Sequence, residues 1–340
     1  MASPMTYRLA LNIAWQEDLG AGREAVLGTV QAADRAGVHS VWVEEAWARD
    51  AFTTLVLIAA RTEQIQLGTA IVNVFSRTPA ALAQHFATLD EVSGGRAIVG
   101  LGSSAAGVIE TLHGTPFRRP VARTADYVSI IRAVFAGEPL DYDGSEVSAG
   151  GGMRLAFQPP RAEVPIYIAS LLPRSLRQTA EIADGWLPLW TPLEAMPELT
   201  RFVRDHRPED AEASGREFNV RSPGALVVTD DVDRARGVAR GQLAYYIARM
   251  GDFYARHFTR LGHEDLVDSV REAWRAGGRG AAAEAVPPDM QQSCWFVTSD
   301  IAEARDRLAQ QVEAGITLHR VEVDSDDPAE QERVLAALGA

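Results

Sequence analysis

The sequence predicts an α/β protein of the (β/α)8 or TIM-barrel class, a single domain over residues 1–340 with two insertions. Three observations carry this reading. Short apolar runs alternate with alanine-rich helical stretches in one unbroken series; several runs are apolar throughout, as strands covered on both faces must be; and the candidate strands number eight.

The first strand candidate is Arg8–Ile13, followed by a helix over Arg23–Ala36 with Gly37 at its C-cap position and a second strand over Val38–Glu44. A helix over Thr53–Arg61 leads to a third strand, Ile65–Ile71. The next helix opens at Thr78-Pro79, where threonine accepts from free amides and proline pre-sets the first turn. Leu82, Phe86 and Leu89 give it one apolar stripe, Ser93-Gly94-Gly95 ends it, and Arg96–Gly102 follows as a fourth strand. Four strands joined by helices favour parallel pairing through right-handed crossovers. Pro165–Ser170, Gly185–Trp190, Gly224–Thr229 and Ile316–Val323 complete the count.

Residues 137–160, rich in Gly, Pro and Asp, and 242–288, mainly helical, interrupt the rhythm and read as insertions. Tyr245, Tyr246, Phe253, Tyr254 and Phe258 fall at roughly helical spacing, which suits core packing, a lid or a subunit contact.

Hydrophobic residues at 46% and charged residues at 23% are ordinary for a globular chain. A net charge of -13 argues against nucleic acid and anionic membranes as partners. The lone Cys294 excludes an internal disulfide. Met1–Tyr7 shows no signal-peptide pattern and no apolar run approaches membrane-spanning length, so a cytoplasmic location is expected. The seven histidines form no metal-binding pair, and no metal is expected.

In such barrels, chemistry sits where strands end and βα loops begin. This nominates 12–15, 44–47, 70–73, 102–104, 170–175, Trp190 and Thr229. Glu44 and Glu45 end the second strand, and alternation sends only one of them inward, where a desolvated carboxyl could serve as acid or base. Trp15, Trp47 and Trp190 are candidate walls for a planar ligand. Gly100-Leu101-Gly102-Ser103-Ser104 lacks the spacing of a dinucleotide fingerprint, but it offers small residues and two hydroxyls to a flat ring. Ser170 to Ser175 passes from a strand into a helix, with Ser175 as the expected cap and Arg174 nearby, a natural phosphate site.

Leu67-Gly68-Thr69-Ala70-Ile71 with Arg77-Thr78-Pro79-Ala80, Ala87 to Arg96 leading into Gly100-Leu101-Gly102, His113 to Phe117, Arg123-Thr124 with Tyr127, and Pro165 to Ala169 followed by Ala183-Asp184-Gly185-Trp186 together resemble the luciferase-like monooxygenase superfamily. The likeness covers nearly the whole chain and leans to the branch that uses coenzyme F420, a deazaflavin. It implies a non-proline cis peptide at Ala70-Ile71; Ala70 and Ile71 behind the ring; Gly102, Ser103 and Ser104 beside it; and Leu171, Leu172, Arg174 and Ser175 toward the phosphate, with Asn73 and Ser170 as further cofactor-binding candidates from their strand-end positions. Two departures stand out. Ala46 follows Glu45 where several members carry histidine, and Leu172 precedes Pro173 where glycine is common. Glu45, helped by Ser103 or Ser104, then becomes the expected proton donor for hydride transfer between the deazaflavin C5 and a small substrate such as an imine or conjugated alkene. The resemblance also implies a homodimer. The alternatives are an FMN-dependent monooxygenase with a separate reductase supplying reduced cofactor, and a barrel that binds a flavin without turnover.

Overall fold

The computed structural model describes residues 7–14, 19–20, 22–209, 211 and 217–339. The strands are β1 (Leu9–Ile13), β2 (Ser40–Val43), β3 (Gln66–Thr69), β4 (Val72–Asn73), β5 (Ala97–Gly102), β6 (Leu140–Asp143), β7 (Ser148–Met153), β8 (Ile166–Ile168), β9 (Gly185–Trp186), β10 (Asn219–Val220), β11 (Leu226–Val228), β12 (Phe296–Thr298) and β13 (His319–Val323). Eight of them, β1, β2, β3, β5, β8, β9, β10 and β13, run parallel, each beside the next in chain order. A parallel bridge between Arg221 and Leu318, reinforced by Ser222 N donating to Leu318 O at 2.8 Å, joins the last neighbours and closes the TIM barrel.

The seventh barrel strand differs from the sequence expectation. Asn219–Val220 holds that place, and the expected Gly224–Thr229 run supplies β11, a continuation pairing with β13 and with the unforeseen β12. Pro223 between them has no N–H for the ladder, and a Cβ on Gly224 would stand 1.9 Å from the Cys294 carbonyl oxygen. The sixth candidate shortens to Gly185–Trp186 for a similar reason, since Pro188 follows.

Side chains fill the barrel interior: Ala10, Trp42, Ile98, Tyr167, Leu187 and Leu318 form one buried cluster. Room for the two large rings comes from glycine on adjacent strands. A Cβ on Gly68 would lie 2.5 Å from Trp42, and one on Gly185 would lie 2.6 Å from Tyr167. The covering helices pack their apolar faces outside the strands. Among them Pro79–Ser93 has the expected termini, with Thr78 Oγ1 accepting from Ala81 N and Gly94 in the left-handed region at φ 69°.

Residues 137–160 contain the antiparallel β6–β7 hairpin. The helix Val232–Arg249 runs through residue 242, and with Phe253–Arg260, Glu264–Glu284 and Pro288–Cys294 it builds a second core around Leu243, Ile247, Phe258 and Val270. Among the described residues no helix is long and apolar enough to cross a membrane.

Candidate functional site

A cleft of about 1540 Å³ opens at the carboxyl ends of the barrel strands. It is bounded on one side by the loops after β3, β5 and β8 and on the other by β13 and the helices Val232–Arg249 and Phe253–Arg260.

On the first side the backbone sets the shape. β3 stops at Thr69, the Ala70-Ile71 peptide is cis, and β4 resumes pairing with β5 at Val72 and Asn73. Across the gap the Thr69 hydroxyl donates to Gly100 O at 2.7 Å and accepts from Gly100 N at 3.1 Å. No side chain fits there, because a Cβ on Gly100 would stand 1.6 Å from Thr69 O. Gly102 makes room for the Ile71 side chain, which would meet a Cβ at 2.9 Å. Ala70, Ile71, Gly102, Ser103 and Ser104 all line the cleft, and Ser104 turns the chain with φ 58°. Asn73 does not line it. Its side-chain oxygen accepts from Phe75 N and Ser76 N, so it caps a turn inside the protein.

Ser170, Leu171, Leu172, Arg174 and Ser175 also line the cleft. The helix Pro173–Ile182 is capped by Leu172, which offers no side-chain acceptor, and Ser175 is not the cap: it lies inside the first turn, its hydroxyl donating to Leu172 O at 2.9 Å. The first-turn amides thus lack a side-chain partner, which suits an anion. Ser170 contributes backbone rather than hydroxyl, since its Oγ pairs with Thr179 Oγ1 at 2.8 Å and its carbonyl takes the Trp186 indole N–H. Buried His257 steadies this loop, bonded to the Leu171 backbone and to Thr191 Oγ1 at 2.9 Å, and burial lowers its pKa to about 4.

The adjacent glutamates have different surroundings. Glu45 receives both terminal nitrogens of Arg77, at 2.6 and 2.9 Å, and accepts from Ala51 N at 3.0 Å; Arg77 also holds Asp50. A carboxylate so engaged must break a bidentate pair before taking a proton, so the expected role of Glu45 as proton donor does not suit this geometry. Glu44 points into the barrel mouth. Its Oε1 accepts from Asn12 Nδ2 at 2.5 Å and lies 3.7 Å from Arg320, and burial raises its pKa against the opposing pull of Arg320. Arg320 gives its shorter bonds, 3.0 and 2.6 Å, to Glu322, while Arg221 donates to Asn12 Oδ1. Burial, with Arg320 adding, brings Arg221 down to about 9.

Aromatic rings form the second side. Trp190, 1% exposed, stacks on Trp295 at 4.8 Å and packs at a tilt against Tyr246, which meets Tyr254 edge-on; Arg320 lies over Trp295 at 4.5 Å. Trp47 stands at the rim, 43% exposed, and Trp15 lies outside the described residues. Thr229 is turned away, its hydroxyl donating to Asp324. Sequence reasoning missed Asn12 as a positioning group, and Arg221, Trp295 and Arg320 altogether. The signal for Arg320 was a charged residue in the last strand between His319 and Val321, at a buried position where a charge needs a partner.

The luciferase-like monooxygenase family model matches residues 9–318. The chain belongs to that family. A Mycobacterium tuberculosis protein named as a coenzyme F420-dependent oxidoreductase is 34% identical over 330 residues, covering 91% of this chain and 92% of that one. The 5,10-methylenetetrahydromethanopterin reductase of Archaeoglobus fulgidus is 29% identical, covering 85% and 86%. Among solved structures, the F420-dependent tetrahydromethanopterin reductase of Methanopyrus kandleri superposes with TM-score 0.79 at 22% identity over 98% of each chain, a likeness of fold.

Asp90, Arg123, Tyr127 and Asp184, which carried part of the resemblance in the sequence, hold the site rather than line it. Arg123 donates to Val74 O at 2.6 Å and to the Tyr127 hydroxyl, which donates to Arg77 O, so the loop behind Ala70-Ile71 is tied to the helix Pro120–Phe135. Asp90, fully buried, accepts from Ala97 N and pairs with Arg161, and Asp184 accepts from Ile166 N. Each of these fixes where a cleft-lining strand begins.

Proposed function

We propose that the protein is an oxidoreductase that uses coenzyme F420 and reduces an electron-poor carbon in a small organic substrate, such as an imine or conjugated alkene. The observation that carries this reading is the backbone-shaped side of the cleft: Ala70, Ile71 and the side-chain-free Gly102 offer a bed for a flat ring, and the uncapped terminus at Leu172–Ser175, with Arg174, suits its phosphate. The 34% identity to a relative named as F420-dependent supports the choice of cofactor. When bound, the deazaflavin supplies a hydride. This chain's residues then orient it: Ala70 and Ile71 from behind, Ser103 and Ser104 at the edge, Arg174 and the helix terminus at the phosphate. A cleft of 1540 Å³ exceeds the roughly 300–1000 Å³ that holds one drug-sized ligand, leaving space for substrate beside the aromatic wall.

Equilibrium titration of purified protein with F420 and, separately, with FMN tests the reading. Tight binding of F420 with weak or no binding of FMN is expected; tight binding of FMN alone overturns it. Reoxidation of the bound reduced deazaflavin by cyclohexenone and by the cyclic imine pyrroline then tests the substrate class. The same reading carries a homodimer, which sedimentation measures directly.

A further inference from the structure

We propose that Glu44, rather than Glu45, exchanges the proton with the substrate, through its Oε2 at the base of the aromatic wall. The inference rests on the oxidoreductase reading and adds to it the residue that completes the reaction.

Three features of the geometry point to Glu44. First, one oxygen is held and the other is open. Asn12 Nδ2 donates to Oε1 at 2.5 Å, whereas Oε2 has no partner among the described residues and the side chain keeps 22% of its surface accessible within the cleft. Second, the orientation is enforced. A guanidinium can only donate, so the bond from Arg221 to Asn12 requires the Asn12 oxygen on that side and leaves the Asn12 amino group to face Glu44. Third, the nearby positive charge is mostly committed elsewhere. Arg320 makes its two short bonds to Glu322 and reaches Glu44 only at 3.7 Å, and Arg221 donates to Asn12 and lies over Trp42 at 5.2 Å, its buried Nε having no partner among the described residues.

The groups facing Glu44 are therefore Asn12 from β1, Arg221 after β10, Arg320 and Glu322 from β13, and Tyr246 and Tyr254 from the helical segment. Burial outweighs the arginines and raises the carboxyl above the usual carboxylate range, while both tyrosines are pushed up by burial as well. On its other flank Glu45 belongs to Arg77.

The reaction balances as follows. With F420 bound, the electron-poor carbon of a C=X group would gain the hydride that the reduced cofactor supplies, the cofactor's C5–H bond breaking and the cofactor being oxidised by two electrons. The π pair moves onto X, or through conjugation onto the far carbon, and that atom takes the proton from Glu44 Oε2. The O–H bond breaks, its electrons stay on the carboxylate, and Asn12 with Arg320 stabilises that anion until solvent returns a proton. In the oxidising direction the carboxylate accepts the proton.

Two measurements test this, on the full-length protein. The Glu44 carboxyl is followed by infrared spectroscopy across pH and assigned by its loss in Glu44→Gln, with circular dichroism confirming the fold. A carboxyl that ionises at higher pH than an ordinary carboxylate is expected in the protein with and without cofactor; one that ionises in the ordinary carboxylate range overturns the proposal. Reoxidation of bound reduced deazaflavin by cyclohexenone is then followed by stopped flow. Glu44→Gln is expected to slow it about a hundredfold or more with unchanged cofactor affinity, to lose the wild-type fall in rate at high pH, and to be partly rescued by Glu44→Asp. Glu45→Gln keeps that high-pH fall. A Glu44→Gln rate equal to wild type overturns the proposal. Failure to bind F420 overturns the cofactor reading instead, and the infrared result still decides whether Glu44 holds a proton to give.

Discussion

The two sides of the cleft are built by different means. On the side of β3, β5 and β8 the shape is made by backbone: a cis peptide, two glycines that admit no side chain, and a helix terminus without a cap. On the side of β13 and the helical segment it is made by side chains, with Trp190, Trp295 and Tyr246 in contact and Glu44 held through Asn12. Under the proposed reading the backbone-made wall takes the flat ring of the cofactor. A side-chain-made wall can be rebuilt by substitution, and that is where specificity for a substrate belongs.

The largest expected effect is on the backbone side. Gly100→Ala drives a Cβ into the Thr69 carbonyl at 1.6 Å, so the variant should lose about 4 kcal/mol or more in urea denaturation and most of its cofactor binding. Wild-type stability in this variant would break the comparison.

Next come the buried histidines that join elements across the barrel. His257 bridges the Leu171 loop and Thr191, and His319 bonds Gln311; burial lowers both from 6.5 to about 4. Because the folded pKa is depressed, the stabilisation is present above about pH 6.5 and is lost as pH falls toward 4. Each histidine should contribute about 3 kcal/mol to that loss, and His257→Asn should remove its share of the slope in denaturation free energy against pH.

Smaller effects separate the two sides. Arg174→Ala should weaken the cofactor roughly tenfold and leave the substrate KM unmoved. Trp190→Phe should do the reverse, raising the substrate KM about threefold with cofactor affinity intact. Equal effects of either variant on both ligands would show that the cleft is not divided in this way.

The same division decides what the sequence could disclose. Apolar runs such as Ala97–Gly102 announce strands locally, so the barrel was legible, whereas the cis Ala70-Ile71 peptide was expected from the family resemblance alone. Two-residue β10 is too short to show a period, and β12 follows a helical segment that masks it. Asn73 and Ser175 were read as ligand groups because they sit at strand and helix ends, where local turn chemistry also needs them. Alternation required one of Glu44 and Glu45 to face inward, but the choice depends on Arg77, 32 residues beyond Glu45, and on Arg320 near the chain's end. Pairings across such distances leave no local pattern.

A crystal structure with F420 bound tests the account most directly. The account predicts the ring against Ala70-Ile71, its phosphate at the Leu172–Ser175 terminus, and Glu44 Oε2 facing the open space before the ring. A cofactor seated instead against Trp190 and Trp295, with its phosphate away from Arg174, would contradict it.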